Sequence, residues 1–122
     1  MTPSETVDAF MAAFNAMDLD AAMALIADGA EYDNVPMGKN IGLDAIRALL
    51  APMIERCSEI DWITHRQAAT GNLVINERLD RFLWPHGWVE VPVAGVFEVN
   101  DGKITLWRDY FDLNTYTSQL PS

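Results

Sequence analysis

Cysteine, histidine and positively charged residues are scarce in this sequence, and each shortage excludes a class of function. Eight Lys and Arg residues stand against 18 Asp and Glu residues, so the formal net charge is −10. Nucleic acids and anionic membranes are bound by basic surfaces, so we expect neither as a partner. Cys57 is the single cysteine. No disulfide can therefore form within the chain, and we expect a reducing, cytoplasmic location.

The sequence also lacks targeting signals and the motifs of common cofactor sites. It shows no apolar signal core behind a positive segment and no apolar run of membrane-spanning length. Its two histidines, His65 and His86, have no carboxylate at metal-ligand spacing, so we expect no metal. A glycine-rich phosphate loop and a G-x-S-x-G elbow are both missing. We therefore expect a soluble enzyme or binding protein that needs no cofactor.

Apolar residues, in contrast, are plentiful. Half of the 122 residues are hydrophobic, and they include four Trp, five Phe and six Met. This length suits a single domain over residues 1–122 with one core. The apolar content is sufficient for that core and for the lining of a pocket.

The beginning of the sequence carries signals for two helices. Thr2, Pro3 and Glu5 form a capping-box pattern at a helix start. Asp18 can cap a second helix, and Gly29 fits the C-terminal end of that helix. Helical spacing predicts that these two helices bury Val7, Phe10, Met11, Phe14 and Met17 in the first and Leu19, Ala22, Met23 and Ile26 in the second.

The middle of the sequence predicts a short strand, a loop and a third helix. "AEYDNVP" has the composition of a strand, and "MGKNIG" has that of a loop. A helix is expected to begin near Leu43 and to kink or break at Pro52. A last helical turn is expected near the end, with Asn114 as its cap. The inward side of the third helix is predicted to carry Ile46, Leu49, Leu50, Met53 and Ile54.

From residue 59 onward the sequence predicts long strands. Four segments rich in β-branched and aromatic residues are separated by Thr-Gly, Pro-His-Gly and Asn-Asp-Gly turns. Helices that precede sequential hairpins indicate an α+β fold. We expect a strongly curved, mostly antiparallel mixed sheet, with the N-terminal helices on its concave face and a deep pocket between them.

Polar residues occur on the apolar faces of three predicted strands. Strand side chains alternate between faces, so "NERLDRF" groups Asn76, Arg78 and Asp80 with Phe82. By the same rule Asp109 lies between two aromatic residues, and one face is shared by Tyr32 and Asn34. Each group has a simple structural explanation: a partly exposed Arg–Asp ion pair, an edge aspartate, or side chains that satisfy turn backbone. The aromatic residues that flank the aspartate are Trp107 and Phe111.

Together these polar residues indicate acid–base chemistry. Buried charges must be paired, and one arginine between two carboxylates leaves a surplus negative charge, which a proton held on one acid relieves. A neutral acid beside an ionised base can transfer protons in both directions. Tyr32, Asn34 and Asp109 could hold a water molecule, and Asp80 could protonate a departing oxygen. Opening an epoxide by direct attack of water requires this combination and no metal.

At these residues the sequence resembles the limonene-1,2-epoxide hydrolase family. The blocks that carry the resemblance are "NERLDRF", "GVFEVNDGKIT" and "WRDYFDL". The resemblance implies a fold of the nuclear transport factor 2-like type, a homodimer, and hydration of a small apolar cyclic epoxide to a trans-diol. It implies Asp80 as general acid, Asp109 as general base, Arg78 as the bridge between them, and Tyr32 and Asn34 as water ligands. It also implies a pocket wall of Phe82, Val91, Val93 and Phe111.

Two other interpretations remain open from the sequence. An isomerase or polyketide-cyclase-like enzyme on the same fold would use one aspartate to move a carbon-bound proton. A non-catalytic binding or dimerisation module would use the ion triad only to stabilise its sheet. The Met11 and Phe14 stripe fits a core best, and it is also a candidate for part of the substrate wall.

Overall fold

Helices and one large sheet make up the described part of the chain, residues 1–121 of a computed structural model. None of the helices in this part has the length and apolarity needed to span a bilayer. In chain order the elements are α1 (Pro3–Asn15), α2 (Leu19–Met23), β1 (Ile26–Asn34), β2 (Gly38–Ile41), α3 (Leu43–Arg56), β3 (Glu59–Thr70), β4 (Leu73–Trp84), β5 (Gly87–Asn100), β6 (Lys103–Tyr110) and α4 (Leu113–Thr117).

Within residues 1–121 the strands form a single curved sheet in the order β2–β1–β6–β5–β4–β3. Neighbouring strands are antiparallel, except that β1 runs parallel to β6. This parallel pairing makes the sheet mixed and brings β1, from the first third of the chain, beside the last strand. The predicted α+β fold with a mostly antiparallel mixed sheet is confirmed.

Helix α1 begins as the capping-box pattern predicts and packs on the sheet with its apolar face. The Thr2 side chain accepts from the backbone N–H of Glu5, and the Glu5 side chain accepts from the backbone N–H of Thr2. Phe10 lies edge-on to Phe14 and to Trp107, with ring centroids 4.9 Å apart in both pairs. These rings are fully or almost fully buried, so the helix and the middle of the sheet share one aromatic core.

Strand β4 shows the alternation of faces that its sequence predicts. Asn76, Arg78 and Asp80 are buried beneath the helices, whereas Ile75 and Glu77 are exposed on the outer face. The polar residues of "NERLDRF" therefore lie inside the protein and not in water.

Two sequence predictions for the region between α2 and α3 are wrong. The segment "MGKNIG" is not a loop, because Gly38–Ile41 pairs with β1 as strand β2. An edge strand is held by backbone hydrogen bonds, so it needs no apolar pattern by which its sequence could be recognised. Gly29 does not end α2; it lies inside β1, where the register with β6 shifts between Ile26 and Glu31.

Two predictions about helix interiors and caps are also corrected. Helix α3 continues through Pro52, so of the kink or break expected there, the break does not occur. A proline removes only one backbone bond, and the buried side chains of Ile46, Leu50 and Ile54 hold the helix on both sides of it. Helix α4 is capped by Asp112, whose side chain accepts from the N–H of Thr115, and not by Asn114.

Candidate active site

One arginine joins two aspartates from different strands at the centre of the sheet. Nε of Arg78 donates to Oδ1 of Asp80 at 3.0 Å, and Nη2 donates to Oδ2 of Asp80 at 3.0 Å. The same Nη2 also donates to Oδ2 of Asp109 at 2.9 Å. The structure thus brings together the three charged residues that the sequence singled out, although they come from β4 and β6, with β5 between them.

This cluster is shielded from water. Arg78 is 1% exposed, Asp80 4% and Asp109 3%. The guanidinium carbon of Arg78 lies 5.7 Å from the ring centroid of Trp62 and 5.9 Å from that of Phe97, within reach of cation–π attraction. Because water is replaced here by aromatic rings and hydrogen bonds, the charges act on one another with little screening.

The pKa values in the cluster follow from burial and from the neighbouring charges. Burial alone would lower the pKa of Arg78, but the charges of Asp109 and Asp80 outweigh it and leave that pKa above its ordinary value. The pKa of Asp80 is raised from 3.8 to about 6. Burial is the largest cause, and it outweighs the charge and the hydrogen bonds of Arg78, which lower this pKa. Asp80 is therefore the acid on which burial favours a proton.

Strand β1 places two further polar side chains beside Asp109. Asn34 is paired in register with Asp109, and Tyr32 with Trp107, across the parallel β1–β6 ladder. The Tyr32 ring stacks on Trp107 with centroids 3.7 Å apart. Burial, reinforced by the charge of Asp109, raises the pKa of Tyr32 well above its usual value. Its phenol therefore keeps its proton at neutral pH and can act as a donor.

Asp109 presents one carboxylate oxygen that the protein leaves without a donor. Oδ2 accepts from Arg78, but Oδ1 is buried and has no hydrogen-bond partner among residues 1–121. Both oxygens of Asp80, in contrast, accept from Arg78. A buried acceptor without a partner is costly. Such an oxygen is suited to bind a proton donor that enters from the cavity.

A cavity of about 340 Å³ opens beside the cluster. Asp80, Asp109, Tyr32 and Asn34 contribute its polar wall, while Arg78 lies behind them. The four residues that the resemblance assigned to the apolar wall all line this cavity: Phe82, Val91, Val93 and Phe111.

Two residues proposed for the substrate wall do not reach the cavity. Met11 and Phe14 are buried in the core and are not among the lining residues. Phe14 stacks on Trp62 at 4.4 Å, and it is Trp62 that faces the cavity. The expectation that Met11 and Phe14 form part of the wall is therefore corrected: they support it from behind.

Much of the cavity wall escaped the sequence reasoning. Helix α3 covers one side, and Trp84 with Tyr116 of α4 lies at another. The available signal was the apolar stripe of α3, which predicted a buried face without showing that this face borders a cavity. Leu49, for example, was expected in the core, but it lines the cavity and is 37% exposed. The α3 residues involved are Ala48, Leu49, Leu50, Pro52, Met53 and Arg56.

The described residues offer no arrangement suited to a metal ion. No group of three or more His, Cys, Asp or Glu side chains converges within residues 1–121. The two aspartates at the cavity bind the guanidinium of Arg78 instead. Two acids in different environments that are joined by one arginine are a combination suited to acid–base chemistry.

Comparison with known proteins gives a family match over the whole chain. The family model described as the limonene-1,2-epoxide hydrolase catalytic domain matches residues 1–122. The chain is 39% identical over 107 residues to epoxide hydrolase EphG of Mycobacterium tuberculosis. That alignment covers 88% of this chain and 71% of the relative.

Solved structures show the same fold. A structure described as an LEH-like epoxide hydrolase of M. tuberculosis matches with a TM-score of 0.83 and 37% identity, over 93% of this chain and 85% of the other. A putative polyketide cyclase of Pseudomonas putida matches with a TM-score of 0.81 and 26% identity, over 99% of both chains. A ketosteroid isomerase-like protein of Catenulispora acidiphila, with a TM-score of 0.84 and 23% identity over 99% and 96%, shares the fold.

Replacing Asp80 by Asn should remove the loss of folding stability that accompanies deprotonation of Asp80 as the pH rises. The pKa of Asp80 is raised in the folded state from 3.8 to about 6, so the folded protein binds more protons than the unfolded chain between these values. The favourable contribution of Asp80 is fully present below about pH 4 and is lost as the pH rises through about 6. We expect the free energy of unfolding of wild type, minus that of Asp80→Asn, to fall by on the order of 1–3 kcal/mol across this range.

Urea unfolding at a series of pH values measures this difference. Asp61→Asn is the matched control, because Asp61 is also a strand aspartate paired with an arginine, Arg81, but is half-exposed. A wild-type minus Asp80→Asn difference that stays flat from about pH 4 to 8, or that matches the control, contradicts the raised pKa of Asp80.

Proposed function

The chain belongs to the limonene-1,2-epoxide hydrolase family and is a hydrolase that acts on epoxides; we propose that it adds water to a small, mostly apolar cyclic epoxide in one step. The observation that carries the proposal is the bridge of Arg78 between Asp80 and Asp109 at the wall of an apolar cavity. This bridge joins the proposed acid to the proposed base. In the proposed reaction water, and not a protein side chain, attacks the reacting carbon.

We assign Asp109 as the general base. Asp109 lines the cavity, and its Oδ1 has no hydrogen-bond partner among residues 1–121; in the proposed step a water molecule in the cavity would donate one hydrogen to it. Tyr32 and Asn34 stand next to Asp109 on the neighbouring strand and would fix the same water with their phenol and amide groups. Holding the water in line with the epoxide carbon converts an encounter in solution into an intramolecular step.

We assign Asp80 as the general acid. In the proposed step the water O–H bond breaks toward Asp109, a bond forms between the water oxygen and a ring carbon, and the carbon–oxygen bond of the epoxide breaks. Asp80 gives its proton to the departing oxygen, for which a pKa near 6 is suitable at neutral pH. Attack opposite the departing oxygen gives a trans-diol, and the proton on Asp109 must return to Asp80 to complete the cycle.

The cavity supports a compact apolar substrate such as limonene-1,2-epoxide or a similar ring. Its volume of about 340 Å³ is at the lower end of small-molecule sites. Its walls are mainly aromatic and aliphatic. Asp80, Asp109, Tyr32 and Asn34 form one polar group in the wall, and Arg56 and Tyr116 are further polar lining residues. Such a site orients the polar epoxide oxygen toward the acids and the hydrocarbon ring away from them.

An isomerase or cyclase mechanism on the same fold gains no comparable support. Enolate chemistry calls for two proton donors at one substrate oxygen. Here an arginine links the two aspartates, and Asp109 has an unpaired oxygen beside Tyr32 and Asn34, which suits a fixed water molecule better than an enolate. Uptake of solvent deuterium into the carbon skeleton of a substrate would instead favour the isomerase.

We also propose that the protein is a homodimer, as the family resemblance implies. The outer sheet face exposes Ile63, Ile75 and Tyr110, and a second copy of the chain laid against this face would remove them from water. Sedimentation equilibrium should give twice the chain mass of 13.6 kDa, and Ile75→Glu should shift the mass toward one chain. A single-chain mass for the unaltered protein at micromolar concentration would contradict the dimer.

The direct attack of water can be tested with isotopes. A panel of cyclic epoxides that includes limonene oxide and cyclohexene oxide is incubated with excess enzyme in oxygen-18 water for a single turnover. We expect the label in the diol, with the apolar rings turned over best. Mass spectrometry of the protein is the control, since label found in Asp80 or Asp109 would mean that an aspartate, and not water, attacks the ring.

Both aspartates should be essential for turnover but not for folding. General acid or base catalysis contributes about 10²–10⁴-fold, so we expect Asp80→Asn and Asp109→Asn each to lower kcat by at least about 100-fold. Circular dichroism checks the fold of both variants, and Asp61→Asn should retain the wild-type rate. A rate within tenfold of wild type in either variant would remove that residue from the mechanism.

A further inference from the structure

One row of side-chain positions crosses the sheet at the site. Following the strand pairings, Gln67 of β3 is opposite Asn76 of β4, Asn76 is opposite Gly95 of β5, and Gly95 is opposite Asp109 of β6. From β3 to β6 the row therefore consists of two side-chain amides, a glycine and a carboxylate. Its glycine position is a gap in the layer of side chains, next to the base of the proposed reaction.

The guanidinium of Arg78 fills that gap. A Cβ atom built on Gly95 would lie 2.3 Å from Nη1 of Arg78 and 2.6 Å from Oδ1 of Asn76. Both distances are far below van der Waals contact, so any side chain at this position forces the guanidinium or the amide to move. Arg78 can thus extend from β4 across β5 to Asp109 only because residue 95 has no side chain.

A chain of hydrogen bonds holds the guanidinium through Nη1, which donates to Asn76 and not to an aspartate. Nη1 of Arg78 donates to Oδ1 of Asn76 at 2.9 Å, and Nδ2 of Asn76 donates to Oε1 of Gln67 at 3.1 Å. Nε2 of Gln67 then donates to Oγ of Ser4 at 2.7 Å and to Oδ1 of Asp8 at 3.0 Å. The chain ends on the first turns of α1, outside the cavity.

The polarity of this chain is determined at the α1 end. The carboxylate of Asp8 can only accept, so the Nε2 group of Gln67 must face it and Oε1 must face Asn76. Asn76 then has to donate to Gln67, which leaves its Oδ1 as the only acceptor toward Arg78. An amide turned the other way would place N–H groups against the guanidinium.

We propose that Asn76, Gln67 and Gly95 are positioning residues that hold Arg78 in the geometry in which it reaches both aspartates. None of them lines the cavity, so none contacts substrate; they act through Arg78. The inference rests on the proposed acid–base function of the Asp80–Arg78–Asp109 cluster. It adds a reason why the guanidinium occupies the space at Gly95 and contacts Asp109, and does not bind Asp80 alone.

Gly95→Ala tests the gap. The added methyl group should push the guanidinium away from Asp109, and displacements of about 1 Å at a catalytic group cost on the order of 100-fold. We expect kcat to fall at least about tenfold with little change in KM. Gly29→Ala is the matched control, because Gly29 is also a strand glycine and a Cβ atom added there would meet nothing within 4 Å; it should keep the wild-type rate.

Asn76→Asp tests the link electrostatically and keeps the size of the side chain, although the Gln67 amide must turn so that an N–H group faces the new carboxylate. The new carboxylate would lie about 3 Å from the guanidinium and near Asp80, whose other charged and titratable neighbours are Arg78, Asp109 and Tyr32. Added negative charge favours the protonated form of Asp80. We expect the alkaline limb of the kcat/KM profile to move to higher pH by about one unit, because the new charge lies in the hydrogen-bonded cluster that contains Arg78 and Asp80.

Gln67 provides a conservative rescue. Gln67→Leu removes the acceptor that orients Asn76 and should lower kcat several-fold. Gln67→Glu keeps an oxygen for the Nδ2 group of Asn76 but puts its other oxygen against the carboxylate of Asp8, so it is combined with Asp8→Asn, whose amide can donate to that oxygen; this combination should recover most of the loss. Equal rates for the two Gln67 variants would contradict the orienting role.

The outcomes separate this inference from the proposed function. If the wild-type protein hydrates none of the epoxides in the panel, the function fails; the positioning role is then decided by carbon-13 NMR titration of Asp80, which should move upward in Asn76→Asp. If Gly95→Ala does not fold, the Asn76 and Gln67 variants decide. An unmoved pH profile and unmoved Asp80 titration in Asn76→Asp, or near-wild-type turnover in a folded Gly95→Ala, would overturn the inference.

Discussion

The buried guanidinium of Arg78 makes contact with four oxygens through its three nitrogens, and the rest of the site is arranged around it. Two of these oxygens belong to Asp80, one to Asp109 and one to Asn76. Removing a carboxylate from water costs several kcal/mol, so neither aspartate could stay ionised inside the sheet without this cation. One positive charge cannot balance two negative ones, and burial favours a proton on Asp80, whose pKa rises to about 6. The proposed general-acid role of Asp80 depends on this raised pKa.

The fold provides the distance that this interaction needs. Asp80 and Asp109 come from β4 and β6, so β5 separates them by about two strand spacings. Only a long side chain can span that gap, and it can do so only where the intervening strand carries a glycine. The aromatic layer formed by α1 and the sheet keeps water away from the cluster, which strengthens the attraction between the charges. The core of the domain thus forms the insulating surroundings of the candidate active site.

Sequence periodicity recovered the parts of this protein that depend on one chain segment. Alternation along β4 correctly put Arg78 and Asp80 on one buried face, and the capping box located the start of α1. Periodicity failed where the structure depends on pairing between segments. Strand β2 has no apolar pattern by which it could be recognised. The register that puts Gln67, Asn76, Gly95 and Asp109 in one row cannot be derived from any single strand. For the same reason the cavity wall from α3 was interpreted as core, since burial against a cavity and burial against a sheet leave the same apolar stripe. The role of Asp80, Asp109 and their neighbours came from chemistry and resemblance, and it stays a prediction.

Three buried polar atoms around the site lack hydrogen-bond partners among residues 1–121, and this lowers the stability of the fold. Among residues 1–121, the buried side-chain atoms without a hydrogen-bond partner are Nε1 of Trp62, Nε1 of Trp107 and Oδ1 of Asp109. Trp62 and Asp109 line the cavity, and Trp107 stacks on Tyr32, which also lines it. Each such atom costs about 1–3 kcal/mol, and none would be left unpaired in a core that had only to be stable. The same two tryptophans pack against Phe14 in the aromatic core. The aromatic core of the domain therefore lies directly against the polar atoms that the described residues leave unpaired.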